Sequence, residues 1–193
     1  MPAWFGPPRG TLPAALPSER VLASNARVAV CLSGMSVYPT GFEIDLLVLA
    51  AEDVGADMHD IFHRVRRRTE SEEIPPDLLR FGVQFADGSK TTNLSGFHAG
   101  DGPPSGPVMV PRGGSGGGDS WRQTVWVWPL PPPGAVSVVV EWPAFDIPFT
   151  REQIDAQEIL DAAARAQVLF PDEDLPEWQP DVKRGGPPSP SVG

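Results

Sequence analysis

The segment from residue 121 to residue 142 constrains the fold more than any other part of the sequence. It reads WRQTVWVWPLPPPGAVSVVVEW, with two apolar runs on either side of a short stretch rich in proline and glycine. Valine and tryptophan favour strands, and the central prolines confine the turn because proline cannot donate to a β-ladder. The pattern predicts two strands paired as a β-hairpin, onto which the rest of the chain folds.

Three further segments alternate between apolar and polar residues with the period of two that is typical of half-buried strands. They are residues 27–38, 42–50 and 78–86. The first two are joined by the turn sequence YPTG, which predicts an antiparallel pair. Asp87-Gly88 follows the third segment and is a strong signal for a two-residue hairpin turn.

The period changes to a helical one near residue 150. Thr150 and Gln153 fit a capping box, and apolar residues then recur at helical spacing, which predicts one amphipathic helix over about residues 150–167. Paired strands followed by a single helix indicate a mainly β fold. We expect an antiparallel β-sandwich of about six to eight strands with one C-terminal α-helix.

Proline and glycine mark the edges of this domain. Residues 1–19 are predicted to form a Pro-rich N-terminal arm, whose Trp4 and Phe5 could dock on the body. The sandwich and its helix are assigned to residues 20–170, and residues 171–193 are predicted to be a disordered acidic tail rich in Pro and Gly. The run RGGSGGGDS, residues 112–120, has the composition of a flexible linker.

The charge and the composition exclude several classes of function. The formal net charge of −10 predicts that nucleic acid is not a partner, because an acidic surface repels phosphate. No membrane span and no signal peptide are visible, so we expect no membrane partner and a cytoplasmic location. No cofactor motif is present either. The Gly-rich run lacks the lysine and the following helix of a phosphate-binding loop, so no cofactor is expected.

Trp126 and Trp128 are the candidate binding residues. They alternate with Val125 and Val127 and are therefore predicted to lie on the opposite face of their strand. An outward-facing pair would form a platform for a sugar or a peptide. The alternative, which the usual burial of large aromatic residues favours, is an aromatic cluster in the core or a surface covered by the C-terminal helix.

His59 and His63 are the candidate metal ligands. Their spacing of four places both on one face of a helix, and acidic residues lie nearby in the sequence. The zinc-protease motif needs a glutamate directly after the first histidine, where this chain has Asp60. A solvated polar loop is the alternative. No catalytic constellation is predicted, and the lone Cys31 in its apolar run is predicted to be a small buried hydrophobe.

Several strings of the sequence form a distinctive combination. They are YPTGFE (38–43), RFGVQFADGSKTTN (80–93), the Gly-rich run before WVWPLPPPG (126–134), EWPAF (141–145) and IDAQEILDAAARAQ (154–167). Together they resemble a group of uncharacterised actinobacterial proteins. The resemblance covers roughly residues 20–170 and implies a GC-rich genome, but it supplies no activity and no site.

The sequence therefore favours a non-enzymatic protein-interaction module with a protein partner, since loops on a rigid sandwich commonly build a binding surface. A metal-dependent hydrolase centred on His59 and His63 is the first alternative. A structural subunit of a larger assembly, which uses an edge strand or the tails, is the second.

Overall fold

The computed structural model describes residues 2–51, 74–95, 104–117 and 119–171. Over these ranges the protein is mainly antiparallel β-structure with one α-helix near its C-terminal end, which confirms the predicted fold class. The helix α1 spans Ala156–Arg165. The strands are β1 Thr11–Leu12, β2 Ala14–Leu16, β3 Arg20–Ser24, β4 Val28–Tyr38, β5 Gly41–Ala50, β6 Arg80–Gln84, β7 Lys90–Thr92, β8 Val108–Gly117, β9 Ser120–Trp128, β10 Ala135–Trp142, β11 Ile147–Asp155 and β12 Gln167–Val168.

Two larger sheets and one short ribbon make up the fold. The six-stranded sheet has the order β2-β4-β5-β9-β8, with β3 also paired to β4, and the four-stranded sheet has the order β11-β10-β6-β7. The ribbon is the pair of β1 and β12. One face of each larger sheet contributes buried side chains to a shared core, among them Phe42, Val125 and Trp142. The two sheets therefore pack as a β-sandwich.

Two of the predicted hairpins are confirmed. β4 pairs with β5 in antiparallel register from Val28↔Ala50 to Tyr38↔Gly41, with a register shift between Leu32 and Gly34. β6 pairs with β7 through the Asp87-Gly88 turn, where Gly88 has a φ of 86°. Glycine reaches this left-handed region without the steric cost of a Cβ atom, which is why the turn forms there.

The hairpin predicted over residues 121–142 is wrong. β9 pairs with β5 and β8, whereas β10 pairs with β6 and β11, so the two strands belong to different sheets. The prolines between them make a crossover from one sheet to the other, which begins with a cis bond at Trp128–Pro129. Val125 and Val138 still turn their apolar faces to the same core, but from opposite sides of it.

The linker predicted at residues 112–120 is also wrong. Residues 108–117 form β8, which pairs with β9 along its whole length, including Gly114↔Gln123 and Gly116↔Trp121. A Cβ atom on Gly114 would lie 2.7 Å from the Trp121 ring, so the indole occupies the space of a missing side chain. The glycines thus let a large aromatic ring pack against the backbone of their own strand.

The helix is shorter than predicted and begins later. Residues 147–155 form β11 on the edge of the four-stranded sheet, so the capping box at Thr150 and Gln153 does not form. The N-cap is Asp155, whose carboxylate accepts a hydrogen bond of 2.9 Å from the Gln157 backbone N–H. Pairing with β10 outweighs the local capping preference, because a strand gains a full ladder of hydrogen bonds there.

The N-terminal arm predicted at residues 1–19 contributes one strand to the six-stranded sheet. Residues 14–16 form β2, which pairs with β4 at Ser36 and its neighbours, and the short 3-10 helix Ala3–Phe5 lies on β9. The predicted tail begins at residue 171, and residues 172–193 lie outside the described part of the chain.

Among the residues that the structure describes, no helix is long and apolar enough to cross a membrane.

Candidate interaction surface

The two predicted binding residues lie on the outer face of the six-stranded sheet. Val125 and Val127 of β9 point into the core, and Trp126 and Trp128 point away from it, as the alternation predicted. Trp126 is nevertheless 0% exposed, while Trp128 is half-buried. Trp126 therefore belongs neither to the inter-sheet core nor to a fully open platform.

The cover over these tryptophans is the N-terminal segment, defined here as residues 3–6. The Trp126 indole Nε1–H donates a hydrogen bond of 3.0 Å to the Ala3 carbonyl. The Trp4 ring meets the Trp128 ring edge-on, with centroids 6.0 Å apart and an interplanar angle of 67°. The segment thus satisfies the one polar group of Trp126 and extends the aromatic surface at Trp128.

The sheet fits Trp126 closely from the other side. Tyr38 packs edge-on against its ring at a centroid distance of 5.6 Å and an interplanar angle of 73°. A Cβ atom on Gly41 would lie 2.7 Å from the Trp126 ring, so only glycine leaves room for the indole there. We call Trp126, Trp128 and Tyr38 the aromatic floor of this surface.

A polar cluster borders the aromatic floor. The Tyr38 hydroxyl donates a hydrogen bond of 3.3 Å to a Glu43 carboxylate oxygen, and the Arg112 Nε lies 3.8 Å from the other oxygen. Arg112 also donates from Nη1 to the Phe5 carbonyl at 3.5 Å. Arg112 therefore links the acidic residue on the sheet to the backbone of the N-terminal segment.

Burial sets the electrostatics of this cluster. Burial raises the pKa of the Glu43 carboxyl, and the neighbouring Asp45 charge raises it slightly more. The Tyr38 hydrogen bond and the Arg112 charge lower this pKa, but they offset only part of the rise. Burial and, to a smaller extent, the nearby Glu43 charge together raise the pKa of Tyr38 to about 12. Burial thus disfavours the ionised forms of both the Glu43 carboxyl and the Tyr38 hydroxyl.

Tyr38 should titrate late in the folded protein. Because its folded pKa of about 12 lies above the unfolded value of about 10, its contribution to stability is present below pH ~10 and is lost as the pH rises towards 12. Tyr38 is the single tyrosine of the chain, so phenolate absorbance reports it alone. We expect a midpoint near 12 in buffer and near 10 in denaturant.

Circular dichroism at each pH would verify that the chain is still folded during this titration. A folded-state midpoint equal to that in denaturant would show that Tyr38 is not buried against Trp126 and Glu43. The Tyr38→Phe variant serves as the control, since it should lose the tyrosine-specific part of the alkaline destabilisation.

The rest of the outer face is polar and more open. The Thr124 hydroxyl donates a hydrogen bond of 2.6 Å to the Asp45 carboxylate. Arg122, which is exposed, donates to the Ser33 hydroxyl at 3.3 Å. Cys31 lies on this same face and is half-buried, and burial raises the pKa of its thiol. A raised pKa keeps the thiol protonated and poorly nucleophilic.

The predicted metal ligands cannot be placed. His59 and His63 lie outside the described residues, so the metal site stays a prediction. Within the described ranges, no group of three or more His, Cys, Asp or Glu side chains is arranged to hold a metal ion.

The sequence did not identify Ala3, Glu43 or Arg112 as parts of this surface. Its one local signal was the aromatic pair Trp4 and Phe5 within a Pro-rich stretch. The Ala3 contact is made by a backbone carbonyl, which carries no signature in the residue type. Comparison of the chain with protein-family models, with curated proteins and with solved structures gives no match.

Proposed function

We propose that this protein is a non-enzymatic, cytoplasmic interaction module whose aromatic floor binds a short aromatic peptide segment of a protein partner. One observation carries the proposal: the chain's own residues 3–6 already lie on this floor as a bound peptide would. They are held by a hydrogen bond to a backbone carbonyl and by an edge-on contact between two tryptophans.

These contacts suit a peptide in particular. The Trp126 indole and the Arg112 guanidinium each donate to a main-chain carbonyl, Ala3 and Phe5 respectively. Every peptide offers such carbonyls, so these donors set the position of the bound backbone. Specificity would come from the aromatic side chain against Trp128, because aromatic pairs contribute about 0.5–1.5 kcal/mol beyond the area they bury.

The N-terminal segment is held weakly enough to be displaced. Each of the two hydrogen bonds to the Ala3 and Phe5 carbonyls contributes about 0.5–1.5 kcal/mol net, and the aromatic pair adds a similar amount. Because the segment is tethered, it competes at an effective concentration of roughly millimolar order. A partner therefore needs a few additional contacts, for instance with the polar residues Asp45 and Thr124 next to the floor.

A titration with the chain's own N-terminal peptide tests this proposal. A synthetic peptide of residues 1–10 is added to a variant that lacks residues 2–6, and the binding heat is measured by calorimetry. We expect saturable binding with one peptide per chain. The same peptide with Trp4→Ala should bind about fivefold more weakly, since it loses one aromatic pair worth about 1 kcal/mol.

The full-length chain is the matched control, and it should bind the peptide more weakly than the shortened variant because its own segment competes. A folded shortened variant that gives no heat with the peptide would refute a peptide-binding floor. If the shortened variant does not fold, full-length protein with Trp4→Ala replaces it, and it should bind the unmodified peptide more tightly than the wild type does.

A further inference from the structure

Gly6 is the buried residue of the N-terminal segment, whereas Ala3, Trp4 and Phe5 are half-buried. The segment forms one turn of 3-10 helix, closed by a hydrogen bond of 3.1 Å from the Phe5 N–H to the Pro2 carbonyl. Gly6 follows this turn with an extended backbone. The reason for a glycine at this position therefore lies in what surrounds it.

The Arg112 guanidinium lies directly against this glycine. A Cβ atom on Gly6 would be 2.8 Å from Nη1, 3.1 Å from Cζ and 3.5 Å from Nη2 of Arg112. These three nearest atoms all belong to the guanidinium, so the group occupies the space that a side chain at position 6 would need. Only a residue without a Cβ atom allows such a close approach.

Two contacts hold the guanidinium in this place. Nη1 donates to the Phe5 carbonyl at 3.5 Å, and Nε lies 3.8 Å from a carboxylate oxygen of Glu43. The other Glu43 oxygen accepts the hydrogen bond from Tyr38, which positions the carboxylate on the sheet. An arginine side chain can rotate away from a Cβ atom, but here the rotation would give up both contacts. A side chain at position 6 therefore weakens the binding of the segment to the surface.

Trp4 and Gly6 define the spacing that the surface accepts. Trp4 meets the Trp128 ring on β9. Gly6 lies two residues later, against the Arg112 guanidinium on β8. The residue between them contributes its carbonyl as an acceptor for Arg112. Because the two contacts are made two positions apart, the surface favours an aromatic residue and a glycine in that order.

We propose that the partner segment carries an aromatic residue followed two positions later by glycine, and that Arg112 selects the glycine. The selection rests on the proposed function, since residues 3–6 stand in for the partner's peptide. It adds a residue that the partner must contain and the group on this chain that excludes other residues. Peptides with a side chain at that position bind only after the guanidinium has moved.

Calorimetry with three synthetic peptides of residues 1–10 tests the selection. The unmodified peptide, Gly6→Ala and Gly10→Ala are each added to the variant that lacks residues 2–6. We expect Gly6→Ala to bind about tenfold more weakly than the unmodified peptide, a change of about 1.4 kcal/mol that lies within the usual cost of overpacking.

Gly10→Ala is the matched control, because it makes the same change in the free peptide. In the protein Gly10 contacts Phe170 rather than the aromatic floor, and the shortened variant keeps its own Gly10 in that place. The Gly10→Ala peptide should therefore bind like the unmodified one.

Arg112→Ala in the shortened variant tests whether this side chain makes the selection. The variant should bind the unmodified peptide more weakly, because it lacks the donor to the Phe5 carbonyl. It should also bind the Gly6→Ala peptide and the unmodified peptide equally. Arg151→Ala, an exposed position on β11 of the other sheet, is the control and should keep the tenfold difference.

Failure of the floor and failure of the selection give different results. An unmodified peptide that gives no binding heat refutes the peptide-binding floor itself. If the unmodified and Gly6→Ala peptides bind equally to the shortened variant, the floor binds peptides without selecting glycine, and the selection is overturned. A tenfold difference that persists in Arg112→Ala overturns the role of Arg112. If the shortened variant does not fold, the full-length chain with Trp4→Ala takes its place in every arm.

Discussion

Replacing Trp126 with alanine should lower the free energy of unfolding by about 3–5 kcal/mol, the usual cost of removing a fully buried large aromatic side chain. The indole is 0% exposed between the sheet and the N-terminal segment. Its removal leaves the space beside Gly41 and Tyr38 unfilled. It also leaves the Ala3 carbonyl without the Nε1–H donor.

Denaturant unfolding followed by circular dichroism measures this change, with Trp128→Ala as the matched control. Trp128 is half-buried, and its recorded contact with the N-terminal segment is the ring contact with Trp4 rather than a hydrogen bond. Its replacement should therefore lower the free energy of unfolding clearly less. Protease should also cleave the N-terminal residues faster in the Trp126 variant. Equal and small losses for the two variants would mean that the N-terminal segment does not cover Trp126.

Gly116→Ala should lower the free energy of unfolding by about 1–3 kcal/mol, which is the typical cost of overpacking. A Cβ atom there would overlap the Ser120 carbonyl and would lie 2.7 Å from the Trp121 Cα. Both are backbone atoms, which cannot rotate away as the end of a side chain can. The two strands of the β8–β9 hairpin would therefore have to separate.

Gly117→Ala is the matched control for this variant, since a Cβ atom there meets nothing within 4 Å. It should be neutral or should stabilise by up to about 1 kcal/mol, because alanine has less conformational freedom than glycine in the unfolded chain. Both variants are compared by denaturant unfolding. If the run were a flexible linker, the two substitutions would behave alike, so a similar result for both would contradict the assignment of β8.

Features that depend on residues close in the sequence were predictable. The β4–β5 hairpin follows from alternation on both sides of a Pro-Thr-Gly turn, and the β6–β7 hairpin follows from Asp87-Gly88. The opposite orientations of Val125 and Trp126 follow from the period of two. Each of these signals lies within one strand or one turn, or in two strands that follow each other directly, where local backbone geometry decides the outcome.

Features that depend on a distant surface were not predictable. The capping box at Thr150 is a valid local signal, but pairing with β10 overrides it and makes the segment a strand. The composition of residues 112–117 indicates a linker, and only the Trp121 ring packed on Gly114 explains why the run is a strand instead. The candidate interaction surface could not be predicted for the same reason, because the N-terminal segment that covers Trp126 lies more than a hundred positions away from it in the sequence.

The segment 121–142 shows which features the sequence determines and which depend on the tertiary structure. The sequence by itself determined that two strands flank a Pro-rich connection and which side chains of each strand share a face, because alternation is a property of the extended backbone. Only the tertiary structure decided that β9 and β10 lie in opposite sheets and that Trp126 is buried outside the core. Apolar faces can bury each other either side by side or across a core, and the packing of the remaining strands selects between the two.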